Sequence, residues 1–308
     1  MTRNLKDYAL ITARGLAMGA ADVVPGVSGG TIAFITGIYE EFIGSLKSLN
    51  LDALKVLQKE GIAAFWQKVN GWFLVSLFLG VGISLVSLAK GITFLLANYP
   101  VLLWSFFFGL IIASSILIGR SIKKWTVPAI IGMLLATGIA YFITVAVPAQ
   151  TPTSWWFIML SGAIAICAMI LPGISGSFIL LLMGKYAFIM GAISDRDFAT
   201  IGIFGAGCIA GLLSFSHVLS WMFRKFHNLT IAVLTGFMIG SLNKVWPWKL
   251  THEWRVNSHG EEVPFIQESV LPGDFQGEPQ VVMAIVMMVV GFTVIAGLQL
   301  MAAKKELA

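Results

Sequence analysis

Residues 19–39 read GAADVVPGVSGGTIAFITGIY, and residues 166–186 read ICAMILPGISGSFILLLMGKY. At one fixed offset Pro25 meets Pro172, Gly26 meets Gly173, Ser28 meets Ser175 and Gly29 meets Gly176; further on, Gly37 meets Gly184 and Tyr39 meets Tyr186. Each copy is a helix breaker rich in Gly and Ser with an apolar run on either side. Proline removes a donor and frees a carbonyl, and lipid satisfies neither. Such a break survives at membrane depth only inside protein or against a wet cavity. Two of them in matching halves point to a transporter's binding site.

Composition sets the class. The chain is 57% hydrophobic and only 11% charged, with a mean hydropathy of +0.88, whereas soluble domains carry about 25% charged residues. An all-α polytopic membrane protein is expected. The polar start MTRNLKDYA runs into a segment broken at Pro25, which does not read as a cleavable signal peptide. The net charge of +5 is no argument for nucleic acid in such a chain. Cys167 and Cys208 lie in apolar runs and read as small hydrophobes. The four histidines lack ligand spacing, so neither a metal nor a cofactor is expected.

Taken in order, residues 8–43 read as a re-entrant hairpin broken at Gly26 to Gly30, because neither half reaches the roughly 20 apolar residues of a full span. Two tilted spans are the alternative. Residues 44–71 form an amphipathic surface linker. Spans are expected at 72–97, 100–119 and 126–147, completing a first half over 1–147. The second half, 155–308, holds a hairpin at 155–192, spans at 198–222 and 229–246, a small irregular outer cap at 247–280, and a span at 281–303. At a second offset Gly80 meets Gly207, Leu85 meets Leu212, Gly109 meets Gly236 and Ser114 meets Ser241. A hairpin plus three spans per half inverts the second half relative to the first, an inverted-topology repeat.

Charge tests the count independently. With both termini in the cytoplasm, the inner segments carry Arg3, Lys6, Lys47, Lys55, Lys59, Lys68, Arg120, Lys123, Lys124, Arg224, Lys225, Lys304 and Lys305. The outer segments are Asn98-Tyr99-Pro100, the uncharged 148–154 loop, Asp195-Arg196-Asp197 and the acidic 247–280 stretch. The positive-inside rule holds at every turn.

The chemistry follows from the breaks. A new half-helix starts near Thr31 and near Ser177, with unpartnered amides and the positive end of its dipole. Gly26, Gly29, Gly30, Gly173 and Gly176 let a ligand approach the backbone, while Ser28, Thr31, Ser175 and Ser177 add hydroxyls. This combination favours an anion such as phosphate, although close helix packing is another use for small residues. Ionisable groups in apolar runs are candidates by default. Arg14 either reaches the phosphate or snorkels to the interface. Asp22 either responds to protons or caps the tip; eight residues place it roughly 12 Å from Arg14. Glu40 and Glu41 are further proton-coupling candidates or a solvated helix end. Lys185 binds the ligand from the outer side or snorkels outward. Lys90 and His217 read as near-interface residues.

GAADVVPGVSGGTIAFITGIYEEFI and MILPGISGSFILLLMGKY resemble the bacterial polyprenyl-phosphate transporters, long filed as a domain of unknown function. The resemblance runs over nearly the whole membrane part. It implies return of undecaprenyl phosphate, the lipid carrier of cell-wall synthesis, from the outer to the inner leaflet of the bacterial cytoplasmic membrane. Alternating access around a phosphate held between the two tips is the expected mechanism. An integral-membrane lipid phosphatase would need a nucleophile or an acid–base pair, and no such constellation stands out. A small-anion transporter or channel uses the same loops and stays open. Oligomeric state is not legible.

Overall fold

In the computed structural model, residues 3–24, 27–256 and 262–306 are described. The expected break residues Pro25 and Gly26, and Glu261 of the outer cap, lie outside them. The chain begins with α1 (Leu5–Val23), whose Asn4 side chain accepts from the Asp7 amide while the Asp7 side chain accepts from the Asn4 amide, a capping box. After the break come α2 (Gly29–Ile35) and α3 (Tyr39–Ser48). The return arm is therefore not the single half-helix expected from Thr31 to Ile43. It breaks again at Thr36-Gly37-Ile38, where Gly37 has a φ of +73°, a left-handed conformation that favours glycine.

The linker folds as α4 (Leu51–Glu60) and α5 (Ile62–Lys68). The expected span 72–97 is divided at Leu88 into α6 (Gly71–Ser87) and α7 (Ala89–Asn98). Close to that division the Ser87 hydroxyl donates to the Ile83 carbonyl at 2.6 Å, a back-bond that competes with the helical ladder. Then follow α8 (Pro100–Arg120) and α9 (Val127–Val145).

The second half opens with α10 (Trp155–Ile170), α11 (Gly176–Leu182) and α12 (Tyr186–Ser194). Helices α11 and α12 are bent by 108° around Gly184, whose φ is +63°. The long α13 (Phe198–Lys225) is capped by Asp197, and α14 (His227–Ser241) follows. By length and composition α8, α9 and α13 are each able to cross a membrane alone.

The 247–280 cap is more regular than expected. It is an antiparallel hairpin of β1 (Lys249–Val256) and β2 (Glu262–Ser269), pairing Lys249 with Ser269 and Val256 with Glu262. Two indoles tie it down: Trp246 Nε1 donates to the Val270 carbonyl and Trp248 Nε1 to the Pro279 carbonyl. The last helix is α15 (Val281–Glu306).

Helix packing is pairwise: α1 lies on α6, α10 on α13, α8 on α15 and α9 on α14. Glycines make these approaches possible. A Cβ on Gly80 would collide with the Thr12 carbonyl, and one on Gly207 with the Met159 carbonyl. The largest core surrounds the first hairpin, with Met18, Val24, Tyr39, Phe73, Leu77, Leu234 and Met238 all buried. Outward faces carry bare apolar side chains, among them Val86, Leu135, Phe142 and Val282. Large exposed apolar surface of this kind belongs in hydrocarbon.

Candidate functional site

The first tip is closed by its own side chains. Ser28 is extended, and its hydroxyl caps α2 by accepting from the Gly30 amide at 3.1 Å. Asp22, at the end of α1, accepts from the Gly29 amide at 2.6 Å. Two of the amides that a helix start leaves without partners are thus taken.

The two tips touch. The Ser28 hydroxyl donates to the Met169 carbonyl at 3.0 Å, and the Gly173 amide donates to the Thr31 hydroxyl at 2.8 Å. Behind them the Tyr39 phenol donates to the Ile170 carbonyl at 3.1 Å. The Ser28 and Tyr39 bonds satisfy carbonyls that the C-terminal end of α10 leaves free. Ser28 and Thr31 are 1% and 0% exposed, so this contact is dry. Gly30 permits it, because a Cβ there would sit 2.5 Å from the Ile170 carbonyl oxygen.

The second tip is built differently. Met169 stands where the first tip has Asp22, and Ser175 makes no side-chain cap on α11. Its hydroxyl instead lies 2.9 Å from that of Ser177, which is exposed. Gly173 has a φ of +86°, and a Cβ there would be 2.7 Å from Ser241 Oγ at the end of α14. Gly176 packs against the Ala165 carbonyl.

Other predicted residues stand apart from the tips. Glu41 holds Arg3 through two 2.6 Å bonds and accepts from Asn70 at 2.7 Å, tying the N-terminus, α3 and the start of α6 together. Half-buried Arg14 feels the charges of both Arg3 and Glu41. Glu40 is exposed, 3.8 Å from His227 Nδ1. Lys185 does not snorkel outward: it is 2% exposed, its ammonium donates to the Thr151 carbonyl at 2.6 Å, and it lies near the Phe157 and Phe188 rings.

Two cavities flank Leu242. One of about 500 Å³ lies between α8, α9 and α14, lined by Ile112, Ser115, Met133, Thr235 and Ile239, and includes Arg120 and Trp125. The other, of about 360 Å³, lies under the β-hairpin against Phe108, Asn243, Trp246 and Ser269.

A family model described as undecaprenyl phosphate translocase-like matches residues 18–263, which include both tips. The chain belongs to this family. A polyprenyl-phosphate transporter of Vibrio cholerae is 46% identical over 308 residues, covering 99% of this chain and all of the relative. A polyprenyl-phosphate transporter of Staphylococcus aureus is 33% identical over 252 residues, covering 76% of this chain and 84% of the relative. No solved structure matches the chain.

Three residues of this undecaprenyl phosphate translocase-like chain escape a motif-based reading. Tyr39 belongs to the repeat, but its bond to the opposite tip is invisible in sequence. Lys244 lies inside the expected 229–246 span and carried the same signal as Lys90: a charge in an apolar run. Its ammonium lies 4.2 Å from the centroid of Phe178, in the first turn of α11. Lys249, at the start of β1, stacks 3.6 Å from the centroid of Trp104 and donates to the Lys244 carbonyl at 2.6 Å. Burial and the neighbouring Lys244 charge push Lys249 well below the usual lysine range.

Proposed function

We propose that the protein carries polyprenyl phosphate, in the cell undecaprenyl phosphate, from the outer to the inner leaflet of the bacterial cytoplasmic membrane. The observation that carries the reading is the direct contact of the two broken tips through Ser28, Thr31, Met169 and Gly173. The names of the two relatives supply the lipid class.

Residues 1–147 and 155–308 form the two inverted halves, each a re-entrant hairpin plus three spans, with both termini in the cytoplasm. The packing supports this division. Exchanging the halves turns α1 on α6 into α10 on α13, and α8 on α15 into α14 on α9. The first repeat offset carries Gly15 onto Gly162 and the second carries Gly80 onto Gly207. Each of these glycines meets the backbone of the neighbouring helix in its own half.

Transport then proceeds by exchange of partners. The contact between the tips is the resting state, with protein carbonyls and the Asp22 carboxylate engaging the donors that a phosphate needs. Rocking of the halves separates the tips, and the head group takes over bonds from Ser28, Gly29, Gly30, Thr31, Gly173, Ser175, Gly176 and Ser177, with Gly26 at the break. Protonation of Asp22 would release the Gly29 amide, which makes it the first proton-coupling candidate; Glu40 and Glu41 follow at the cytoplasmic end. Arg14 and Lys185 lie away from the tips in the resting state and would reach the head only after the halves rock, Lys185 by giving up the Thr151 carbonyl. The isoprenoid tail stays in lipid, and the crevice between α8, α9 and α14 gives the head a sideways exit.

The test is a reconstituted assay. Purified protein in liposomes should move a labelled lipid phosphate between leaflets, and Ser28→Ala with Ser175→Ala should slow it. Unchanged flux in that double variant rules out the tips as the site. Inhibition by free inorganic phosphate instead of lipid-linked phosphate would favour a small-anion transporter.

A further inference from the structure

A tip built from hydroxyls and amides holds an anion weakly, and neither hairpin brings its own cation to the contact. The geometry points to Lys244, backed by Lys249, as the cationic seat for a phosphate monoester head group beside the second tip. This rests on the lipid-phosphate reading above and adds to it the charge that captures the head.

Position comes first. Lys244 follows the end of α14, whose Ser241 packs on Gly173 of the tip. Its ammonium lies over Phe178, one residue after Ser177. The side chain thus reaches the start of α11 from the element that closes the tip's other side.

Partnering comes second. Among the described residues, neither lysine is paired with a carboxylate; the ion pairs involve Arg3, Lys55, His227 and His252. Lys249 donates to a backbone carbonyl and stacks on Trp104. The Lys244 ammonium, among the described residues, has the Phe178 ring and no hydrogen-bond acceptor. Lys185 shows the contrast: its ammonium is fully buried and already held by the Thr151 carbonyl.

Energetics comes third. A half-buried ammonium with three unused donors is costly, and a second ammonium nearby raises the cost. Aromatic faces recover part of it. A phosphate monoester recovers more, because it brings up to two negative charges and several acceptor oxygens to the Lys244 ammonium, with Lys249 behind it. The β-hairpin gives Lys249 its place, so the outer cap becomes part of the receiving site.

Binding and flux are measured separately. The probe is farnesyl phosphate, titrated into full-length protein in phosphatidylcholine nanodiscs, with farnesol and inorganic phosphate as comparisons. Tryptophan fluorescence is the readout, since Trp104 lies against Lys249. Lys244→Met keeps the apolar stem and should weaken farnesyl phosphate binding by about tenfold or more, the loss expected for one charged hydrogen bond, and Lys249→Met, whose ammonium is already bonded to the Lys244 carbonyl, should weaken it less. Lys244→Arg should stay within about threefold of wild type, because the charge remains. Farnesol binding should not change. A melting curve identifies any variant that fails to fold, and for such a variant the Arg replacement decides.

Methionine variants binding farnesyl phosphate as tightly as the wild type would overturn the inference, and so would a wild type that binds farnesol equally well. Lysine-dependent binding without flux of the same probe in proteoliposomes would leave the inference standing and refute the transport reading. Normal flux in folded methionine variants would do the reverse.

Discussion

The bond from the Gly173 amide to the Thr31 hydroxyl joins the two halves of the chain at their tips, and Thr31→Val removes it with little change in volume. Thr31 is fully buried, so water cannot replace the lost acceptor. An unsatisfied buried amide costs about 1–3 kcal/mol, and the added methyl returns about 0.8 kcal/mol. With the middle of that cost range, about 2 kcal/mol, the net loss is about 1 kcal/mol, a factor of about 5 in the equilibrium that opens the tip. Hydrogen exchange followed by mass spectrometry, in detergent or nanodiscs, reads this directly. Exchange of the 171–176 segment should rise by that factor in Thr31→Val and recover in Thr31→Ser. Thr36→Val is the control: its hydroxyl donates to the Ile32 carbonyl, which already accepts from the Thr36 amide, so its effect should stay within about 0.5 kcal/mol. If exchange of 171–176 in folded Thr31→Val matches the control within twofold, the tips are not coupled through this bond. The partner-exchange mechanism then loses its starting state.

Other substitutions separate structure from transport. Gly30→Ala places a Cβ 2.5 Å from the Ile170 carbonyl oxygen; relieving it needs a backbone shift of about 1 Å at a cost of about 1–3 kcal/mol, so the melting temperature and lipid flux should both fall, and an unshifted melt would contradict the tight contact. Glu41→Gln breaks a part-exposed ion pair with Arg3 worth about 1 kcal/mol or less, so the melt should hold; loss of flux with that unchanged melt would support Glu41 as a coupling group, and unchanged flux would remove it from the candidates. Asp197 caps α13 by accepting from the Thr200 hydroxyl and from the Ala199 and Thr200 amides, and these bonds hold its carboxyl below the usual range. The folded form therefore binds its proton less readily than the unfolded one. The stabilisation is complete above the ordinary aspartate range and fades as pH falls through the lower folded value. Protection factors of the 198–201 amides, corrected for the intrinsic pH dependence of exchange, should fall on acidification in the wild type and stay flat in Asp197→Ala; identical profiles would show that the cap does not titrate.

Sequence alone determined the medium, the breaks and the repeat. Low charge and long apolar runs require a helical membrane protein, because only paired backbone survives in hydrocarbon. The same rule made Pro-Gly-x-Ser-Gly conspicuous twice, and the offset that aligned those breaks also aligned Gly37 with Gly184, both of which adopt positive φ. Tertiary structure alone decided how each polar group is spent. Of the two readings sequence left open for Asp22, the structure shows the cap on the Gly29 amide, while Glu41 turned out to clamp Arg3 and Lys185 to face inward onto Thr151. These partners lie 7, 38 and 34 residues away along the chain, beyond the reach of local periodicity. The regular β-hairpin of the cap was hidden by its prolines and acidic residues, and it is held in place by indole bonds from Trp246 and Trp248 to distant carbonyls. Lys244 shows the division most plainly: its charge in an apolar run was legible, but its place beside Phe178 exists only because α14 packs against the second tip. Burial makes a polar group costly wherever it lies, while the fold alone supplies the partner that offsets the cost.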